Sequence, residues 1–140
     1  MNAGSRAGLR IFSLALMGLL LLAACSAELP RIAFESLDFG QADTGSGQKL
    51  FNQSNNEAPA CAACHAISGT GSSIGNSLAG LAAVATERVA GQSAAEYLYW
   101  SILRPGQHLV AGYSNLMYAD YEGSLEAADL ADLIAYLLTL

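Results

Sequence analysis

In the stretch Cys61-Ala62-Ala63-Cys64-His65, two thiols stand three residues apart and an imidazole follows at once. On one helical turn this spacing brings both sulfurs to where they can add to the two vinyl groups of a haem. The adjacent His65 then projects to the iron as the proximal ligand. In this use the chain folds around a large apolar plate, and no other feature constrains it as tightly. Three other uses of the same residues are weighed beside this one. A thioredoxin-like redox pair needs a strand leading into a helix, and no strand pattern precedes Cys61. A structural zinc site needs four ligands and would have to bring His108 to Cys61, Cys64 and His65. A disulfide between Cys61 and Cys64 suits an exported chain but leaves His65 unused.

The amino terminus bears on where the chain works. Arg6 and Arg10 precede an uncharged apolar run over 11–24 that ends in small residues, the pattern of a secretory signal peptide over residues 1–24. The run falls short of the roughly 20 residues that a spanning helix needs. Leu22-Ala23-Ala24-Cys25 resembles the lipobox of bacterial lipoproteins, which implies cleavage before Cys25 and a lipid on its sulfur. Lipidation also consumes a thiol that is otherwise a liability on an exported chain, and several acyl chains anchor stably where one does not. The expected location is the outer face of a bacterial membrane, on the periplasmic or cell-surface side.

The 140 residues are 53% hydrophobic and 13% charged, which excludes a disordered chain. Six basic residues against twelve acidic ones, a net charge of -6, exclude a nucleic-acid partner, which needs clustered cations. Loss of residues 1–24 removes Arg6 and Arg10 but no acid, so the processed chain carries a side-chain charge of −8. It also removes Met1 and Met17, leaving Met117 as the sole methionine. The second axial position lies between Met117 and His108. A thioether raises the potential of the iron and a second histidine lowers it. Met117 sits in a polar loop, poorly placed for a core residue, and is taken as the ligand; His108 in RPGQHLVAGY reads as a solvated loop histidine.

Residues 25–42 are read as a lipid-anchored tether and 43–140 as one domain. Leu29, Ile32, Phe34, Leu37 and Phe39 are too apolar for a solvated linker, so they pack on the domain or dock on a partner. The domain reads as all-α, short helices separated by glycine-rich loops. A first helix starts near Asp43 or Thr44 and runs through Phe51. Residues 66–80 are loop, a helix over 93–103 stops before Pro105-Gly106, and the last helix starts at a Ser124 cap. Its Leu130, Leu133, Ile134, Leu137 and Leu138 recur at helical spacing and need a partner surface.

Residues 43–140 resemble a class I cytochrome c. The resemblance rests on Gly47 and Phe51, the Cys61–His65 segment, Gly75 with Leu78-Ala79-Gly80, and Tyr97-Leu98 with Ser101-Ile102. It continues through Gly112-Tyr113, Met117 and the run from Leu130 to Leu137. It implies one covalent haem c on Cys61 and Cys64, axial ligands His65 and Met117, and first and last helices that cross with Gly47 against Tyr136. Two departures are visible. Tyr118 stands where the family usually has proline after the methionine, and Asn76 where it has proline after the loop glycine. Asn76 can still offer its carbonyl to the proximal histidine.

A domain this small with long loops has little side-chain core, and a haem supplies what is missing. Leu78, Leu81, Leu98, Ile102, Leu109, Leu116 and Leu133 are the candidate walls. Trp100, Tyr113 and Arg104 are candidates for the propionates, each equally open to a surface or core role. No general base, nucleophile or second metal suggests bond chemistry. The expected function is a membrane-anchored single-electron carrier in a respiratory or photosynthetic chain, not an enzyme, with redox partners that present a basic or neutral docking face. The alternatives are a fixed subunit of a quinol-oxidising or oxygen-reducing complex docked through residues 29–39, and a haem sensor or peroxidase if Met117 detaches.

Overall fold

In the computed structural model the described residues are 29–72 and 74–140. The expected signal peptide and lipobox, Cys25 included, lie outside them. Among the described residues there are four α-helices, α1 (Thr44–Asn52), α2 (Leu81–Val84), α3 (Ala94–Leu103) and α4 (Ala127–Leu137), and no strand. Short 3₁₀ turns stand at Phe34–Ser36, Cys61–Ala63, Ala85–Glu87 and Tyr121–Gly123. The all-α expectation holds, and no helix here is long and apolar enough to cross a membrane.

Each longer helix starts where a side chain satisfies free amides. Asp43 accepts from the N–H groups of Gly45 at 2.7 Å and Ser46 at 3.3 Å. Ser93 does the same for Glu96 at 3.1 Å. The expected Ser124 cap of α4 is corrected. Ser124 is already in the right-handed helical region, closing the Tyr121–Gly123 turn, whereas a capping residue needs extended backbone. Glu126 has that conformation and is the cap; its own N–H is held by the Asp129 carboxylate at 3.0 Å. Ser124 instead offers its carbonyl to the Asn55 amide at 2.7 Å.

The apolar face of α4 finds α1. Gly47 is buried at the crossing, and a Cβ there would lie 2.8 Å from the Cβ of Tyr136 and 2.6 Å from the backbone carbon of Asp132. Only glycine lets the two backbones approach so closely. Phe51 then meets the ring of Tyr136 at 5.7 Å, and the Asp43 N–H donates to the Asp132 carboxylate at 2.7 Å. This is the crossing that the resemblance implied. Leu103, Leu130 and Ile134 are fully buried and weld α3 onto α4, each contributing about 1.5–3 kcal/mol of apolar burial.

The structure also answers the question left open for the apolar residues before Asp43. Leu37 is buried, and Ile32 and Phe34 pack on the same core. Phe34 sets its ring against Tyr99 of α3 at 5.4 Å, and the Tyr99 hydroxyl donates to the Ile32 carbonyl at 2.6 Å. The Glu122 carboxylate accepts from the N–H groups of Arg31 and Ile32 and from the Arg104 guanidinium at 3.2 Å. Residues 31–37 thus form a strap across α3 and the Tyr121–Gly123 turn, with Leu29 and Phe39 left exposed.

Candidate haem-binding cleft

The Cys61–Ala63 turn folds the CAACH segment tightly. The N–H groups of Cys64 and His65 both donate to the Cys61 carbonyl, at 3.1 and 3.0 Å, so the two sulfurs and the imidazole stay within one turn. Cys61 and Cys64 stand as free thiols, each half-buried. Among the described residues no three or more His, Cys, Asp or Glu side chains converge on a metal-sized point, so His108 does not complete a zinc site. Only an isolated bridge between Asn55 and Ala58 precedes the turn, so the thioredoxin context is missing as well.

The ring of His65 is fixed from behind. Its Nδ1 lies 2.9 Å from the Asn76 carbonyl. A carbonyl only accepts, so Nδ1 carries the proton and Nε2 is the nitrogen left for a metal. The backbone of Asn76 thus supplies the contact expected of it. The loop before Asn76 is shaped to hold it there. Ser72 Oγ donates to the Cys64 carbonyl at 3.0 Å and accepts from the Gly75 N–H at 3.1 Å. At Gly75 a Cβ would meet the Cys64 carbonyl oxygen at 2.6 Å and His65 Cε1 at 3.0 Å, so any side chain there would push the histidine out of place.

In front of His65 opens a cleft of about 900 Å³, the open space at its mouth included. Every long element contributes a wall: Phe51 from α1, Leu98 and Ile102 from α3, Leu133 and Leu137 from α4. Leu81 at the start of α2, with Leu78 and Leu109 from the loops, adds to it, so six of the seven expected wall residues are there. Leu116 is the exception. It borders a smaller adjoining hollow with Cys64 and is 64% exposed, because the loop that brings Met117 to the cleft turns its neighbour outward. The two hollows share Cys61, His65 and Met117, so the thiol, the imidazole and the thioether predicted from sequence come to one place.

Of the three polar candidates for the propionates one borders the cleft, and the reading of His108 is revised. Tyr113 lines the cleft, whereas Trp100 stacks edge-on against Tyr99 at 4.9 Å and Arg104 is engaged by Glu122. Neither of the latter borders the main cleft. His108 is not a solvated loop histidine: it is half-buried, packs edge-on against Tyr97 at 5.6 Å and lines the cleft. Burial against an aromatic ring, invisible in a loop sequence, makes the difference.

Tyr121 is a site residue that the sequence reading missed. It borders both hollows, and its hydroxyl donates to the Pro59 carbonyl at 3.1 Å. Burial pushes its phenol well above the usual range, and the neighbouring Cys61 and Cys64 push the same way. Burial likewise raises the Cys61 thiol, partly offset by its own backbone N–H and by Tyr121. Nothing in the spacing of Tyr121 marks it; only its contact with Pro59, two residues before Cys61, gives it a role.

The donor set fits a haem. A soft thiol pair, an imidazole with one nitrogen committed, a thioether and apolar walls suit a covalently held porphyrin with an axially ligated iron. The family model for cytochrome c matches residues 45–140. No similar curated protein and no similar solved structure was found. The match covers nearly the whole domain that the four helices and the cleft define, and the chain belongs to the cytochrome c family of electron-transfer proteins, which bind covalently attached haem c.

Proposed function

We propose that this cytochrome c is a single-electron carrier anchored by lipid at Cys25 to the outer face of a bacterial membrane, serving a respiratory or photosynthetic chain. In this reading residues 1–24 are removed, Cys61 and Cys64 form the two thioethers, and His65 and Met117 are the axial ligands. The observation that carries it is the His65 ring, held at Nδ1 by the Asn76 carbonyl at 2.9 Å, bordering the same cleft as Met117. The bound haem supplies the iron that takes up and returns one electron. The chain's part is to fix the histidine, exclude water with leucine and isoleucine walls, and offer a thioether that favours the reduced state.

The strap bears on the alternative of a fixed complex subunit. Ile32, Phe34 and Leu37 are committed to this domain's own core, which leaves Leu29 and Phe39 as the exposed apolar residues of the segment once considered for docking.

Three measurements test the reading. Haem that stays with the chain through acid-acetone extraction, with the added mass on the peptide containing Cys61 and Cys64, supports covalent attachment. The near-infrared band of ferric iron bound to thioether should vanish in Met117→Ala and persist in His108→Ala; the reverse hands the axial position to His108. Cys25→Ser should yield a soluble haem-loaded domain, and unchanged membrane attachment would favour a retained signal anchor.

A further inference from the structure

The strap precedes the residues that the cytochrome c family model matches, 45–140, yet it is built into the domain at both of its ends. At the amino-terminal end the Glu122 carboxylate, 8% exposed, accepts from the Arg31 and Ile32 N–H groups while Arg104 holds it from the other side. The Tyr99 hydroxyl takes the Ile32 carbonyl, and the Phe34 ring lies on that of Tyr99. At the carboxy-terminal end Leu37 is buried. Residues 38–41, between the strap and the Asp43 cap of α1, are exposed, and their turn is closed by Asp38, which accepts from the Gly40 N–H at 3.0 Å.

These contacts set how far the domain can stand from anything attached at Cys25. Without them the first fixed residue would be Asp43, eighteen residues on from Cys25, a reach of about 60 Å in extended chain. With them it is Arg31, six residues on, and whatever path the intervening chain takes it spans at most about 20 Å. The cleft is not involved. No strap residue borders either hollow, and on α3 it is Tyr99 that meets the strap while Leu98 and Ile102 wall the cleft.

We propose that residues 31–37 are a clasp that shortens the membrane tether about threefold and holds the haem domain close against the bilayer. The proposal rests on the reading that Cys25 carries the lipid. Linked sites meet at an effective concentration set by the linker and do not meet where it cannot span the gap. A clasped domain therefore works at the height of redox proteins embedded in the same bilayer and is kept from sites that stand further off.

Two insertions of about 20 Gly/Ser residues, each a flexible coil spanning about 25 Å, test the clasp. They are made in the lipidated, haem-loaded full chain on phosphatidylcholine vesicles, and height is read as quenching of a headgroup-labelled lipid by the haem. The early insertion lies between Leu29 and Pro30, ahead of the strap. The late one lies between Gly40 and Gln41, in the exposed turn after it, where a longer loop is tolerated. The early insertion should lower the quenching by about twofold or more. The late one should leave it unchanged, because Leu37 and Asp43 fix both of its ends to the domain. Equal loss in both variants would show that the strap is not clasped on the membrane, and no loss in either would show that the tether does not set the height; each result overturns the proposal. Haem content and melting curve should match the wild type in both. If the late insertion disturbs them, the same insertion between Phe39 and Gly40 decides. Failure of the lipid reading is separable. The wild-type chain then leaves the vesicles and its Cys25 peptide lacks the acyl mass, which overturns anchor and clasp together, whereas a lipidated chain that responds equally to both insertions overturns the clasp alone.

Discussion

Replacing Gly47 by alanine tests the α1–α4 crossing on which the cleft is built. The new methyl carbon would sit 2.8 Å from the Cβ of Tyr136 and 2.6 Å from the backbone carbon of Asp132. Carbon atoms rest about 3.5–4.0 Å apart, and the obstruction is largely backbone, so no rotamer change relieves it. The helices must part by about 1 Å, which forfeits a quarter to a half of the dispersion energy along the contact. Overpacking of this kind costs about 1–3 kcal/mol, and the upper end applies where backbone blocks the way. Against it, alanine gains about 1 kcal/mol over glycine within a helix. The net loss is about 2 kcal/mol, or a fall in Tm of about 8–16 °C for a domain of this size. Thermal unfolding of the haem-loaded protein, followed by far-UV circular dichroism and checked by the guanidinium midpoint, measures it. An unchanged or raised Tm would mean that helix propensity wins and that the tight crossing does not limit packing. The reasoning would then be refuted in sign as well as in size.

Gly75→Ala should lower the yield of haem-loaded protein and destabilise what forms by about 2 kcal/mol, because its Cβ meets Cys64 and His65; the haem absorbance per chain and the melting curve report both. Tyr99→Phe removes the donor to the Ile32 carbonyl and should cost about 1 kcal/mol, with faster proteolysis within 30–39 than in the wild type. The Glu122 carboxyl is pushed up by burial, but hydrogen bonds from the Arg31 N–H, the Arg104 guanidinium and the Ile32 N–H outweigh this and leave it below its ordinary 4.5. Its charged form therefore contributes stability that is complete above about pH 4.5 and is lost as pH falls through the lower folded value. Glu122→Gln should be about 1 kcal/mol less stable at pH 7, and the gap should close in acid; a gap independent of pH would contradict the assignment.

What was legible in the sequence was local. Cys61, Cys64 and His65 lie within one turn, so their spacing alone specifies the chemistry they can share. The apolar period of α4 and the capping side chain of Asp43 act over three or four residues, and they too could be read directly. The Asn76 carbonyl was legible only through the resemblance, since any residue offers a carbonyl. Misreadings fell where backbone conformation or distant contact decides. Ser124 and Glu126 both look like starts for α4, and only their dihedral angles separate them. His108 gained its burial from Tyr97, eleven residues earlier, and Glu122 gained its partners from Arg31 and Ile32 at the other end of the domain. Leu116 shares the apolar character of the true wall residues, but its direction is set by the loop that presents Met117.

That loop shows how side-chain packing can stand in for a missing backbone constraint. Without proline after Met117, Tyr118 keeps a free φ angle, and from backbone alone the loop should hold the thioether, the axial ligand in the proposed reading, less firmly. Tyr118 uses its freedom to seat its ring edge-on against Tyr121 at 5.1 Å. Tyr121 is itself tied to the Pro59 carbonyl, just ahead of Cys61, and the next residue, Glu122, is clasped by the strap and by Arg104. The distal side of the cleft is therefore pinned to the proximal side through one phenol, and to the amino-terminal strap through one carboxylate. Constraint at a single φ angle has been exchanged for contacts made with two remote segments. The hold on the Met117 loop then runs through the Tyr118 ring, and from it to the strap and the charge of Glu122, in place of a fixed φ angle after the methionine.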